Sequence, residues 1–231
     1  MDINKLTIRD LLDSGVHFGH LTRLYNPQNS KHIFGSFSKI NIINLEDTLH
    51  GLKIAASFIK SIILENKTIM FVGTKRSAQK SIEEFSEKCG MPYVNYRWLG
   101  GMLTNYNTIK QSIRRLDKLQ QINDDGTLKS LTKKEGLTLI KELEKLNLYF
   151  CGIKDMVKLP DALIVVDVNH EVIAVREANT LGIPVIGIVD TDSSQKGISY
   201  VIPGNDDSMV SINLYLDVLT HVILSVKKTV T

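Results

Sequence analysis

The order of apolar and polar positions divides the chain into stretches of different period. Residues 40–43 read as a short strand. Residues 44–66 read as a long helix, with Leu45, Leu49, Leu52, Ala56, Ile59 and Ile63 along one side. The unbroken run Thr68-Ile69-Met70-Phe71-Val72 reads as a buried strand; Gly73-Thr74 turns the chain, a helix follows to Cys89, and Gly90 stands where a helix end adopts the left-handed conformation. The pattern returns further on, as a strand over 161–167, a helix over 171–181 stopped by Gly182, and a strand over 184–189. Pro203-Gly204-Asn205-Asp206 is a turn opening a final helix over 207–227. Strands alternating with helices predict an α/β domain with a parallel sheet. Ahead of it, Thr7 caps a short helix over 8–14 ended by Gly15, and residues 16–31 read as a polar loop holding His17, His20, Arg23, Tyr25 and Pro27.

Between the two βα halves the strand pattern disappears. Residues 104–150 show two long helical patterns separated by the turn-like Asn123-Asp124-Asp125-Gly126. Ile109, Ile113 and Leu116, then Leu139, Leu143, Leu146 and Phe150, follow the seam spacing of a short coiled coil, and Thr132 with Glu135 makes a capping box for the second helix. The expected organisation is an α/β sheet domain over residues 1–103 and 151–231, carrying an inserted antiparallel helical hairpin over 104–150 that projects and touches something else.

Charge changes this picture locally rather than globally. The chain has 231 residues, with 28 Lys+Arg against 25 Asp+Glu for a net charge of +3, so nucleic acid, if bound, meets patches rather than a polycation. Arg97, Lys110, Arg114, Arg115 and Lys118 against Asp117 give a local excess of +4, larger than the whole chain's +3. Lys110, Arg114 and Lys118 share one helix face and can meet successive phosphates, although such a stripe is also what a solvated helix face looks like. Trp98, beside Arg97, is either a ring for stacking on an unpaired base or a packed core ring. Val72-Gly73-Thr74-Lys75-Arg76-Ser77 places a glycine and two cations after a strand, where open α/β sheets bind phosphate, yet neither a Walker pattern nor G-x-G-x-x-G is present.

Other chemistry is sparse. Cys89 and Cys151 lie far apart, which excludes a disulfide framework and fits a reducing compartment; the start lacks an apolar leader and the apolar stretch 214–226 is broken by Asp217 and His221, so a cytosolic, soluble protein is expected, with no membrane partner. His17-Phe18-Gly19-His20 together with Asp190, Asp192, Asp206 and Asp207 could supply metal ligands, or could hydrogen-bond locally and cap turns. No Ser-His-Asp or Cys-His constellation assembles, so no catalysis and no small-molecule substrate are expected. The competing reading, from sheet topology alone, is a nucleotide or sugar-phosphate binding domain built on the Gly73 loop and Asp190.

Gly15-Val16-His17-Phe18-Gly19-His20, Phe71-Val72-Gly73-Thr74-Lys75-Arg76 and Arg97-Trp98-Leu99-Gly100-Gly101-Met102-Leu103-Thr104-Asn105 together resemble the bacterial-type ribosomal protein S-two family. The resemblance continues in family order through Gly152-Ile153-Lys154-Asp155-Met156, Leu159-Pro160-Asp161-Ala162, Glu177-Ala178-Asn179, Leu181-Gly182-Ile183-Pro184 and Ile202-Pro203-Gly204-Asn205-Asp206-Asp207. It implies a flavodoxin-like α/β domain with a coiled-coil hairpin. It also implies a place in the small ribosomal subunit, contacts to small-subunit rRNA and neighbouring ribosomal proteins, and a role in docking ribosomal protein S-one. A cytoplasmic ribosome is expected, an organellar one being the alternative. The RNA contacts expected on this basis are His17, Arg23, Lys31, Lys75, Arg76, Arg97, Trp98, Lys110, Arg114, Arg115 and Lys118. No cofactor is required; a zinc site is implied near the histidine motif, with His20, Asp190 and Asp207 in position for it. Leu21, Gln28-Asn29-Ser30 and Val157-Lys158 depart from the family pattern, and the end at Thr231 lacks the acidic tail some relatives carry.

Overall fold

The computed structural model describes residues 2–125 and 133–230. Helix α1 (Ile8–Asp13) opens on a reciprocal cap: the Asp10 N–H donates to Thr7 Oγ1 at 3.3 Å and the Thr7 N–H donates to the Asp10 carboxylate at 2.8 Å. The segment read as a loop then forms β1 (Phe18–Leu21), followed by two short 3-10 turns and β2 (Ile33–Phe37). With β3 (Ile40–Ile43) these strands make an antiparallel sheet in the order β1-β3-β2. This corrects the reading of residues 16–31 as loop throughout. Neither β1 nor β2 has a fully buried position, so no alternation marks them; backbone pairing with β3 holds them instead.

The main body follows as α2 (Leu45–Leu64), β4 (Ile69–Val72), α3 (Gln79–Cys89), β5 (Tyr93–Val94), α4 (Tyr106–Asp124), α5 (Lys133–Phe150), β6 (Ala162–Val166), α6 (Val172–Thr180), β7 (Val185–Val189), β8 (Tyr200–Pro203) and α7 (Met209–Val230). Five of these strands form a wholly parallel sheet in the order β5-β4-β6-β7-β8. Counted from β4, that is the flavodoxin-like order 2-1-3-4-5. Every position of β4, β6 and β7 is buried, which is why these strands read as continuous apolar runs. Phe71, Ile164 and Ile188 join one core with α2, α3 and α7, while Met70, Val72, Leu163 and Val165 join a second core with α6 and the starts of α4 and the segment after α5.

Helix α7 is long and apolar enough to cross a membrane by composition, but Ile212, Leu216, Leu219 and Ile223 are each 0% exposed in the first core. Burying each such side chain stabilises by roughly 1.5–3 kcal/mol, which accounts for the composition. Helices α4 and α5 lie against each other. Tyr106 and Ile109 near the start of α4 share the second core with Phe150 at the end of α5, so the two run antiparallel. Arg115 donates to both oxygens of Glu142 at 3.0 Å from the middle of one helix to the middle of the other. Ile113 and Leu116 are buried, whereas Leu139, Leu143 and Leu146 are half-buried. Helix α4 runs through Asn123 and Asp124, which therefore lie inside the helix rather than in a turn. Gly126 and the capping residue Thr132 lie outside the described residues.

Candidate nucleic-acid interface

In this strand order the crevice outside the strands' C-terminal ends is where a phosphate would be expected to bind. Here those ends deliver Thr74 and Lys75 after β4, Asp167 after β6, Asp190 and Asp192 after β7, and Asp206 and Asp207 after β8. The donors are already taken. The Thr74 N–H and hydroxyl both donate to Glu171 Oε1, at 2.7 and 2.5 Å. Lys75 Nζ lies 2.9 Å from Asp167, 3.2 Å from Asp206 and 2.5 Å from Asp207. Burial by itself would lower the Lys75 pKa, but hydrogen bonds to Asp167 and Asp207 and the Asp206 charge outweigh it and hold the ammonium above its usual range. Burial, followed by the Asp167 and Asp190 charges, pushes the Asp206 carboxyl well above its usual range. Gly73 serves packing: a Cβ there would lie 3.0 Å from Ile82 Cγ1 and 3.3 Å from Ala78 Cβ. The expectation that Lys75 meets an RNA phosphate is therefore corrected, since its charge is committed to three carboxylates. The same geometry counts against a nucleotide or sugar phosphate, which would enter a site crowded with acids.

Beside this cluster, β1 brings in His20. Gly19 lets the strand lie close, because a Cβ there would sit 2.6 Å from Thr191 Cγ2; the His20 N–H donates to Thr191 Oγ1 at 3.0 Å. The His20 Nδ1 approaches Asp190 Oδ2 to 2.9 Å and Asp192 Oδ1 to 3.8 Å, and Nε2 approaches Asp207 Oδ2 to 3.4 Å. Contact with Asp190, opposed by burial and aided by the Asp192 and Asp207 charges, raises the imidazole to about 9. The Nδ1 contact is close but poorly aligned for a hydrogen bond, so this buried nitrogen is an ion-pair partner without a directed acceptor. One donor atom each from His20, Asp190 and Asp207 lies within 4.8 Å of the others, a nitrogen and two carboxylate oxygens that suit a divalent cation. His17 is half-buried; burial lowers its pKa, and its Nδ1 is enclosed with no hydrogen-bond partner among the described residues.

The remaining cations lie elsewhere. Arg97 sits on the loop before α4, and Arg114, Arg115 and Lys118 on α4 itself, all exposed. Arg115 is paired with Glu142, while Arg97, Arg114 and Lys118 have no carboxylate within ion-pair distance among the described residues. Lys110 is half-buried, with Nζ 4.8 Å from the centre of the Tyr106 ring. Arg23, Lys31 and Arg76 are exposed on other loops.

The loop carrying Arg97 is held by one buried acid. The Glu177 carboxylate accepts from Trp98 Nε1 at 3.1 Å, from the N–H groups of Gly101, Leu103 and Thr104 at 2.7, 3.0 and 3.1 Å, and from Thr104 Oγ1 at 3.0 Å. Burial raises its pKa, yet these donors outweigh burial and leave the carboxyl below its usual range. Trp98 is only 6% exposed, so the structure makes it a core ring and Glu177 donor rather than a free stacking surface.

This geometry meets its relatives at the level of sequence. The model of the family described as Ribosomal protein S2 matches residues 11–225. The chain is also 53% identical over 225 residues, 97% of its own length and 90% of the relative's, to the small ribosomal subunit protein uS2 of Marinobacter nauticus. The chain belongs to the ribosomal protein S2 family. That is a family of structural ribosomal proteins, and the chain is not an enzyme.

Within this family member, sequence reasoning missed three residues that build the site. Glu177 stands in the sequence within the Glu177-Ala178-Asn179 motif of the resemblance, but nothing in that motif or its helical spacing pointed to the Trp98 loop. Glu171 stands just ahead of α6, and nothing in its spacing pointed to Thr74. Asn29 belongs to the stretch that departs from the family pattern; it is 3% exposed and donates to the carbonyls of Asp190 and Ser193 at 2.8 and 2.7 Å, tying the loop after β1 to the end of β7.

Proposed function

We propose that this ribosomal protein is held in the small ribosomal subunit by phosphate and shape contacts to small-subunit rRNA, and that it helps dock ribosomal protein S-one. The observation that carries this reading is the set of exposed cations with no carboxylate partner among the described residues, Arg97, Arg114 and Lys118, on a loop clamped by Glu177 and a helix seated in the core. Arg114 and Lys118 stand one turn apart, about 6 Å along the axis, so successive backbone phosphates can be met without a search among side-chain conformations. Arg23, Lys31 and Arg76 extend the contact. Leu137, Ile140 and Leu148, exposed along α5, support protein docking on the same pair of helices. A divalent cation, zinc by the family resemblance, would be held by His20, Asp190 and Asp207 and would cross-link β1 to the ends of β7 and β8. Its role there is structural. The setting is the cytoplasmic ribosome.

The test is the double charge reversal Arg114→Glu with Arg115→Glu, read as affinity for transcribed small-subunit rRNA across a salt series. The expected result is weaker binding with a shallower dependence on salt and an unchanged circular dichroism spectrum. Wild-type affinity and wild-type slope in that variant would overturn the assignment.

A further inference from the structure

We propose that the small antiparallel sheet β1-β3-β2 is a second RNA surface, on which Phe34 and Phe37 stack against unpaired bases while Arg23, Lys31 and Lys39 hold the adjoining phosphates. This rests on the rRNA reading above and places the contact on a different set of elements from α4.

Phe34 is 82% exposed and Phe37 74% exposed, whereas Phe71 and Tyr93 on the parallel sheet are 0% and 7% exposed. Leaving such a ring in water forgoes the stabilisation that burial would give, so two of them on one hairpin mark a surface that something else covers. Strand β2 lies at the edge of its sheet with four of five positions exposed, and a Cβ added at Gly35 would meet nothing within 4 Å, so the approach to both rings is open. The rings are carried on a set backbone. Phe37 pairs with Ile40 across the two-residue turn Ser38-Lys39, whose φ angles of 49° and 66° are those of a turn that matches the twist of the strands.

Charge decides between the possible occupants. Residues 14–45 contain no Asp or Glu, and their Lys and Arg residues, Arg23, Lys31 and Lys39, are all exposed. The acids closest to this sheet are engaged with its histidines, Asp190, Asp192 and Asp207 with His20 and Asp47 with His32, while Arg23, Lys31 and Lys39 have no carboxylate within ion-pair distance among the described residues. Exposed aromatics set among such cations suit single-stranded RNA, where every base offers a face for stacking and every linkage a negative charge. A protein partner's apolar patch would need the rings but not the unopposed cations.

The experiment uses the full chain and transcribed small-subunit rRNA. Phe34→Ala with Phe37→Ala should weaken binding roughly tenfold or more while leaving the salt dependence as in the wild type, because stacking releases no counterions. Lys31→Ala with Lys39→Ala should do the converse and lower the salt slope by roughly one to two. Phe34→Leu with Phe37→Leu keeps an apolar surface but removes the rings, so it should fail on RNA as the alanine pair does. Nucleotides protected from chemical probes by the wild type should become reactive in both phenylalanine variants. Wild-type affinity in both phenylalanine pairs, alongside weakened binding in the α4 charge reversal, overturns this inference and leaves the rRNA reading standing. The same holds if the rings prove necessary only when other ribosomal proteins are present, which would make the sheet a protein contact. Failure of the wild-type chain to bind the transcript would overturn both.

Discussion

Two regions of the molecule hold most of its polar chemistry, and they treat charge in opposite ways. At the C-terminal edge of the parallel sheet, Asp167, Asp190, Asp206 and Asp207 enclose Lys75 and His20, so each cation is consumed inside the protein. On the loop before α4 and along α4, a single buried acid, Glu177, accepts from backbone and indole donors while Arg97, Arg114 and Lys118 remain outside, with no carboxylate partner among the described residues. The difference teaches that the place where a fold usually binds phosphate can be closed to it in a given member. A Lys after a strand is a phosphate ligand only if the neighbouring strand ends do not claim it first.

The comparison can be broken most severely at Glu177. Its replacement by Ala leaves an indole N–H and three backbone N–H groups without their acceptor, so a loss of about 3 kcal/mol or more is expected, read from the urea midpoint, together with increased Trp98 fluorescence quenching as the loop loosens. Next in size is Lys75→Met, which strips the cation from three carboxylates and should cost about 2 kcal/mol on the same measurement without weakening RNA binding by the folded protein. An RNA-binding defect in that variant at full folding would show that the acidic edge does take part.

Smaller effects sharpen the contrast. Arg114→Ala should lower the salt slope of rRNA binding by about one, whereas Arg115→Ala should lower it less, because Arg115 already has Glu142 as a partner. Equal slopes would mean that the pairing opens in the complex. The smallest expected change is in acid. The Glu177 pKa is depressed in the folded state, so its stabilisation is present above the unfolded value of about 4.3 and is lost as pH falls through the folded one. Glu177→Gln should remove that part of the acid slope; an unaltered slope would assign the acid sensitivity to other carboxylates.

Local chemistry made much of the fold legible. The runs 68–72, 161–167 and 184–189 are strands buried on both faces, and a strand with no solvent face has no choice but apolar residues. Thr7, Gly90 and Gly182 announced helix ends because caps and left-handed residues obey local rules; Gly90 has φ 60° and Gly182 φ 70°. Strands β1, β2, β5 and β8 escaped, being short, at edges or half-exposed, where pairing rather than side-chain pattern holds them. In the site, the exposed arginines of α4 could be read from spacing. The fates of Lys75 and Trp98 could not, since their partners Asp206, Asp207 and Glu177 are more than seventy positions away along the chain.

By itself, then, the sequence determined the α/β rhythm, the helical character of α4 and α5, the family, and which surface helix carries positive charge, because each depends on period, composition or motif over a short span. Only the tertiary structure decided which cations are free and which are spent, which aromatic ring is core and which two are bare, and that the loop after β4 faces carboxylates. Those outcomes depend on which strand ends the sheet order brings side by side, and Coulomb's law acts on distance in space rather than along the chain.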